Sequence, residues 1–285
     1  MFGGHESKFY YVLEEPYGVT PENPAMKGIA DVLLVEPSVN SGNIKRRGIG
    51  TRDLTGIKRG LLYAGLKVEY NIPSDDVMQF LQHAVTVYPH TCEVYYEKVD
   101  GLVDLRFVGC KFDSATVECH LDELLRASVE LVAQNLAVAD TKISGATYTD
   151  FAGALGFSQC YVSLGAADGT NQVVNEEVTD WKFTIKNNLK RVGVIRSTDG
   201  YLLKYLQPRH RELVGELVFE FENKTRFYEL LTDAEFSVKF GLGPKYALFK
   251  YCKWDSTSAP TRVEDLVSVS ASFSAKTVEF EGVTP

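Results

Sequence analysis

The sequence predicts a mainly β protein: two tandem, similar β-sandwich or rolled-barrel domains, each with one short flanking α-helix. Three observations predict it. The run Cys110-Lys111-Phe112-Asp113-Ser114 recurs 142 positions later as Cys252-Lys253-Trp254-Asp255-Ser256, and the register continues, with Ser128 on Ser270 and Leu131 on Phe273. Upstream, Asn43 to Ile49 is answered by Asn188 to Val194 at an offset of 145, so each copy spans about half the chain. Several runs alternate apolar and polar residues with period two, the pattern of a half-buried strand. The expected domains are residues 1–144, with an extended N-terminal arm, and residues 145–285.

The arm comes first. Pro16, Pro21 and Pro24 with Gly18 and Gly28 exclude a helix over residues 1–30, and Phe9, Tyr10, Tyr11 and Tyr17 supply aromatic surface for docking it. Val32 to Val35 reads as a strand, matched by the alternating Trp181 to Lys186. Two long Gly-, Lys- and Arg-rich connections follow these strands, Asn40 to Gly60 and Asn187 to Arg211. Connections of that length are commonly functional, so both are candidates for contacts between subunits. Leu66 to Ile72 and Leu217 to Glu222 alternate as strands. Each precedes a short helix, one opened by Ser74-Asp75-Asp76 with apolar Val77, Phe80, Leu81 and Val85, the other by Asn223-Lys224-Thr225 with Phe227, Leu230 and Leu231.

Glu123 to Leu131 has helical propensity, but its copy Val267 to Ala275 has strict period two. The copy decides: Leu125, Ala127, Val129, Leu131 and Ala133 align with Val267, Val269, Ala271, Phe273 and Ala275, so both segments are strands. The small, polar stretch from Ser144 to Thr170 is the join.

Composition and chemistry narrow the function. The 285 residues are 45% hydrophobic and 12% aromatic, enough for packed cores. A net charge of −8 argues against a protein that grips nucleic-acid phosphates, without excluding one that nucleic acid must pass without sticking. Five cysteines with no Cys-x-x-Cys pair read as reduced thiols, with Cys110 and Cys252 as core residues. No apolar run reaches the roughly 18 residues of a membrane span, so the chain is expected to be soluble and made in a host cytoplasm. His5, His83, His90, His120 and His210 have no metal-ligand spacing. Gly48-Ile49-Gly50 and Gly241-Leu242-Gly243 read as turns, and Asp75-Asp76 and Glu176-Glu177 as exposed charges. No catalytic site, metal or cofactor is expected.

Glu15-Pro16-Tyr17-Gly18-Val19-Thr20-Pro21, the strand Val178 to Leu189 ending in Asn187-Asn188, and the order strand, long loop, strand, short helix, strands together resemble the tail tube proteins of long-tailed bacterial and archaeal viruses. The resemblance implies β domains arranged six to a ring and stacked into a hollow tube through which viral DNA passes. The duplication then favours three two-domain chains per ring. It also implies a place in the virion tail and partners such as the tape measure, tail terminator and baseplate or tip proteins. On that reading the polar faces Arg126, Ser128, Glu130 and Gln134, and Ser268, Ser270, Ser272, Ser274 and Lys276, point into the lumen. Arg46, Arg47, Arg52, Asp53, Lys190, Arg191, Arg196 and Arg209 in the long connections are the expected contacts between rings or subunits. Two other readings remain: a tail-end or capsid adaptor, and a carbohydrate- or surface-binding module using Tyr95, Tyr96, Tyr201, Tyr205 and Trp254 as a platform.

Overall fold

The computed structural model describes residues 3–75, 79–98, 101–220, 228–229, 231–259 and 268–281. The protein is mainly β, with one α-helix, α1 (Gln79–Thr86), delimited among the described residues. The first half contains β1 (Ser7–Leu13), β2 (Ala25–Ile29), β3 (Val32–Asn40), β4 (Ile44–Arg46), β5 (Gly56–Lys58) and β6 (Tyr63–Asn71). After α1 come β7 (His90–Lys98), β8 (Gly101–Cys119), β9 (Arg126–Ala133), β10 (Asn135–Ala139) and β11 (Thr147–Phe151). The second half contains β12 (Cys160–Ala166), β13 (Val173–Val174), β14 (Val178–Lys186), β15 (Lys190–Val192), β16 (Tyr205–Gln207) and β17 (Glu212–Glu220), followed by β18 (Phe236–Leu242), β19 (Lys245–Ser258), β20 (Ser268–Ser274) and β21 (Thr277–Phe280).

One antiparallel pairing pattern occurs twice. In the first half β3 pairs β6, β6 pairs β9, β9 pairs β8, β8 also pairs β7 and β10, and β7 pairs β1. In the second, β14, β17, β20, β19, β18, β21 and β12 repeat those pairings in the places of β3, β6, β9, β8, β7, β10 and β1. The irregularities repeat too. Bulges at Val32/Leu34, His90/Cys92 and Phe112/Ser114 match those at Val178/Asp180, Phe236/Val238 and Trp254/Ser256. A bulge adds a residue and a bend to one strand, so matching bulges fix which residues correspond. β3 and β14 align at 146 residues (Val32 to Val178), one more than the Lys-Arg pairs suggest, and β6 and β17 at 149 (Leu66 to Gly215). Side-chain identity misplaces the alignment there by one residue because Lys45-Arg46 and Lys190-Arg191 lie on exposed hairpins, where nothing packs against them to fix register.

β8 and β19 each run through two layers. β8 pairs β7 and β10 through its first half and β9 and β14 through its second; β19 does likewise with β18 and β21, then β20. The corner is made by Gly109 (φ 68°) and, 142 residues on, Tyr251 (φ 53°), both in the left-handed region. A Cβ on Gly109 would lie 2.7 Å from Gln134 Cβ, so glycine is required by contact as well as by φ.

Between the layers lies one apolar core that continues across both halves. In the first half, α1 buries Phe80, Leu81, Ala84 and Val85, with Phe80 meeting Tyr11 (ring centroids 4.3 Å apart) and Phe112 (4.8 Å). In the second, Phe183, Phe240, Phe249 and Phe273 are buried together as one ring cluster. Partner sizes compensate across strands: Leu66 faces Leu131 in one half, whereas Gly215 faces Phe273 in the other. The large ring fills the space the missing side chain leaves, which keeps packing density constant.

Some expectations change. Ser7 to Leu13 is a core strand, not part of an arm; Phe9, Tyr10 and Tyr11 are all buried, so no polar alternation reveals it. The arm proper runs from Glu14 to Pro24 and is docked. Buried Glu14 accepts hydrogen bonds from Gly18 N–H (2.7 Å), Gly109 N–H (2.7 Å) and the Thr91 hydroxyl (2.9 Å). Thr147 to Phe151, beyond residue 145, pairs in parallel with β2 of the first half. Gly241 and Leu242 close β18, and the turn falls at Gly243 (φ 61°). Asp76 and Val77 of the first expected helix start lie outside the described residues, as do Asn223 to Phe227 and Leu230 of the second; Tyr228, Glu229 and Leu231 have helical backbone.

Candidate functional site: a polar sheet face and its edges

The two halves are joined edge to edge. β8 pairs antiparallel with β14, from Cys119↔Trp181 to Ser114↔Lys186. One layer therefore reads β3-β6-β9-β8-β14-β17-β20-β19 without a break. One face of this layer is core. Ala127, Val129 and Leu131 on β9, Trp181, Phe183 and Ile185 on β14, and Val269, Ala271 and Phe273 on β20 are all buried.

The opposite face is polar, and each of its cations is opposed by a carboxylate across strands, with further carboxylates in excess. Arg126 faces Glu118, Lys67 faces Glu130, Lys182 lies between Glu118 and Glu216, and Lys186 faces Glu212. Hydroxyls fill the intervals. Thr116 and Thr184 meet across the joint at 2.9 Å, Ser114 donates to Glu130 (3.1 Å), Ser270 to Glu216 (2.6 Å) and Ser274 to Asp255 (2.6 Å), and Ser256 meets Ser272 at 2.7 Å. Of the residues expected on a lumen surface, Arg126, Ser128, Glu130, Ser268, Ser270, Ser272 and Ser274 lie on this face. Lys276 lies just past β20, paired with Glu235 (2.7 Å). Gln134 lies past the end of β9 and donates from Nε2 to the carbonyls of Leu203 (2.9 Å) and Lys204 (3.0 Å).

Those carbonyls belong to a hairpin. Each long connection carries two short antiparallel strands, β4–β5 in the first half and β15–β16 in the second, which form two fingers. The second finger is docked on the first half. Leu203 and Leu206 are 0% and 1% exposed and pack with Val132 and Leu189. Each such side chain, once buried, contributes about 1.5–3 kcal/mol.

The repeated pentapeptide grips the finger. Lys111 Nζ donates to Leu206 O (3.2 Å), Asp113 Oδ1 accepts Leu189 N–H (2.8 Å), and Asp113 O accepts Asn187 N–H (2.8 Å). Asn187, itself buried, donates from Nδ2 to Phe112 O (3.0 Å) and to Ala84 O in α1 (2.8 Å). Arg191 lies over the Tyr63 ring at 5.2 Å and Arg59 over Tyr201 at 3.8 Å.

Among the described residues the first finger has no such dock. Leu54 and Ile57, the counterparts of Leu203 and Leu206 at the 149 offset, are 39% and 59% exposed. Arg46, Arg47, Arg52 and Asp53 are exposed along it; Lys190, Arg191, Arg196 and Arg209 are exposed on or beside the second. Arg196 is held within its own finger by Asp199 O (3.1 Å) and Leu202 O (3.3 Å). Nothing in local sequence signals that one finger buries its leucines and the other exposes Leu54 and Ile57, because the partner of Leu203 lies some 70 residues away.

The layer ends on two open edges. Among the described residues β3 pairs only with β6, and the Lys253 to Ser258 part of β19 only with β20. Asn71 N–H donates to Asp31 O (3.0 Å), so by alternation the nitrogens of Val35, Pro37 and Val39 point away from β6. Pro37 therefore loses no ladder bond inside the chain, which is where an edge strand tolerates proline.

Two buried titratable pairs lie away from these surfaces. His83 Nδ1 and His90 Nε2 are 2.6 Å apart between α1 and β7. Burial, then the charge of Lys27, lowers His83 to about 4; burial and the neighbouring ring hold His90 well below its usual value. Glu93 and Asp104 are diagonal neighbours on β7 and β8, both fully buried, and Asp104 accepts from Arg106 Nε (2.5 Å). Burial first, with Asp104 beside it, pushes Glu93 up to about 7. Tyr95 and Trp254 are buried in separate aromatic clusters and Tyr201 and Tyr205 sit on a finger, so the aromatic platform expected for sugar binding does not form. The five cysteines are free.

A mainly β chain whose strand-pairing pattern occurs twice, with a shared sheet, one polar face, open edges and two hairpin fingers, falls in a class of β-rich proteins built by sheet extension. Residues 4–275 match the sequence model of the phage tail tube protein family, and the chain belongs to that family, as a structural component of a phage tail. No curated protein matches the chain. Among solved structures it is similar to a chain of the anti-feeding prophage (AFP) baseplate, determined by six-fold symmetrised cryo-EM, at 11% identity and a TM-score of 0.36, over 50% of this chain and 97% of that one. Among the described residues no helix is long and apolar enough to cross a membrane.

Proposed function

We propose that the chain is the repeating subunit of a hollow tail tube, with three two-domain chains making each pseudo-sixfold ring, the fingers making contacts between subunits and the rings stacking into the tube. The observation that carries this reading is the continuous layer with one polar face, on which every cation is opposed by a carboxylate, and two open edges. A closed ring of such layers removes every open edge, the usual remedy for the aggregation hazard of long strands. Residues 1–144 and 145–285 then act as two tube domains, with β11 as a strap back to the first.

In that ring the face bearing Arg126, Ser128, Glu130, Ser268, Ser270, Ser272 and Ser274 lines the lumen, and viral DNA passes along it. Each cation on the face is opposed by a carboxylate. That limits phosphate neutralisation and counterion release, the source of sequence-independent grip on DNA. The tube works in the virion tail with tape measure, terminator and baseplate or tip proteins, after synthesis in the host cytoplasm.

Electron microscopy of the concentrated, purified chain tests the proposal. Hollow filaments with three chains per ring are expected. Compact monomers at every concentration, alone and with an isolated tail-tip complex as initiator, would overturn the tube; rings of six chains would overturn the stoichiometry.

A further inference from the structure

The chain contains one complete joint between its halves and, at its two ends, the separated parts of a second. In the complete joint β14 and the second finger are the inserted parts, and β8 with its pentapeptide is the receiver. The inserted parts recur as β3, whose outer edge has no strand partner among the described residues, and the first finger. The receiver recurs as the Lys253 to Ser258 segment of β19, which among the described residues pairs with β20 alone and has its other edge open. We infer that the β19 edge receives β3 and the first finger of a second copy of this chain, in the register of the internal joint; the inference rests on the self-assembly reading above.

Transferring the internal pairs by the structural offsets gives that register. Thr184↔Thr116 becomes Ser38 of one copy opposite Ser258 of the next, Ile185↔Ala115 becomes Val39 opposite Thr257, and Lys186↔Ser114 becomes Asn40 opposite Ser256. The chemistry transfers with it. The hydroxyl pair that crosses the internal joint at 2.9 Å is replaced by a second hydroxyl pair, and the outward N–H and C=O groups of Val39 find a ladder partner.

The receiving groups are present as well. Asp113, which accepts Leu189 N–H, has Asp255 as its counterpart facing Asn43 N–H; Lys111, which donates to Leu206 O, has Lys253 facing Ile57 O. Leu54 and Ile57 then lose the exposure that sets them apart from Leu203 and Leu206. This accounts for the pentapeptide being written twice: one copy grips inside the chain and the other grips a neighbour. Such an interface is head to tail, and it closes into a ring when the rotation between the halves divides a full turn.

Ser38 and Ser258 occupy the counterpart of a non-hydrogen-bonded pair, where Cα atoms approach about 4.5 Å, within disulfide range. The test is the full chain carrying S38C and S258C, oxidised with copper phenanthroline in air and run on non-reducing gels beside micrographs of the same sample. The expected result is a ladder at multiples of 31.7 kDa that reductant collapses, absent from either single variant and at least tenfold weaker when S38C is paired instead with T257C. Filaments without the ladder, or equal ladders from both pairings, overturn the register and leave the tube standing. A ladder without filaments supports the joint and overturns the tube; neither ladder nor filaments overturns both. An I57E variant supplies an independent readout. It is expected to raise the concentration needed for assembly at least tenfold with the melting temperature of the unassembled chain unchanged, and unchanged assembly would overturn the finger's part in the joint.

Discussion

Asp113 and Asp255 hold the same place in the two copies, yet removing them has different expected consequences. Asp113 Oδ1 accepts Leu189 N–H at 2.8 Å in a half-buried setting, and a hydrogen bond to an ionised acceptor is worth about 1.5–3 kcal/mol. Truncation in D113A leaves that N–H unpaired where water is partly excluded, and loosens a finger whose Leu203 and Leu206 are buried. The expected loss is about 2 kcal/mol of unfolding free energy, a factor of about 30 in the folded-to-unfolded ratio. Asp255 within one chain accepts only the exposed Ser274 hydroxyl among the contacts described, and surface substitutions of that kind stay within about 0.5 kcal/mol. Urea denaturation of dilute, unassembled chain measures both, and light scattering at high concentration measures assembly. D113A is expected to shift the urea midpoint down, and D255A to leave it in place while suppressing scattering. Equal midpoints for the two variants, or normal scattering from D255A, would refute the assignment of the two copies to an internal and an external joint.

Three further outcomes follow from buried groups. His83 has a folded value near 4 against 6.5 unfolded, so it contributes full stability above about pH 6.5 and loses it as pH falls toward 4, by at most about 3 kcal/mol; H83Q is expected to flatten stability over that window in denaturant titrations. Glu93 runs the opposite way: its value is raised to about 7, so stability is lost as pH rises from about 4.5 through 7, and E93Q is expected to remove that loss. A Cβ on Gly215 would lie 2.3 Å from the buried Phe273 ring, so G215A is expected to cost about 1–3 kcal/mol; the double change G215L/F273L, which copies Leu66 opposite Leu131, is expected to restore most of it as read from the urea midpoint.

The sequence makes the strands of the shared layer legible because one face is core and the other wet. Ser268 to Ser274 and Leu66 to Tyr70 alternate for that reason, and comparing copies overrides helical propensity in Glu123 to Leu131. β1 is illegible for the opposite reason: three successive aromatics are all buried. Of the functional surface, the serine row of β20 follows from alternation alone. The environment of Gln134 does not, since its partners Leu203 and Lys204 come from a finger folded back over the other half. Legibility ends where a contact joins residues whose own neighbourhoods carry no mark of each other.

The strands that turn the corner at Gly109 and Tyr251 also have a mechanical meaning. β8 is 19 residues of unbroken backbone, about 60 Å at the usual rise per residue, anchored by hydrogen bonds to one layer over its first half and to the other over its second. A load applied to one layer reaches the other through covalent bonds, not through side-chain packing alone. Because β19 repeats the arrangement, the two layers are laced together once in each half, and they resist being peeled apart.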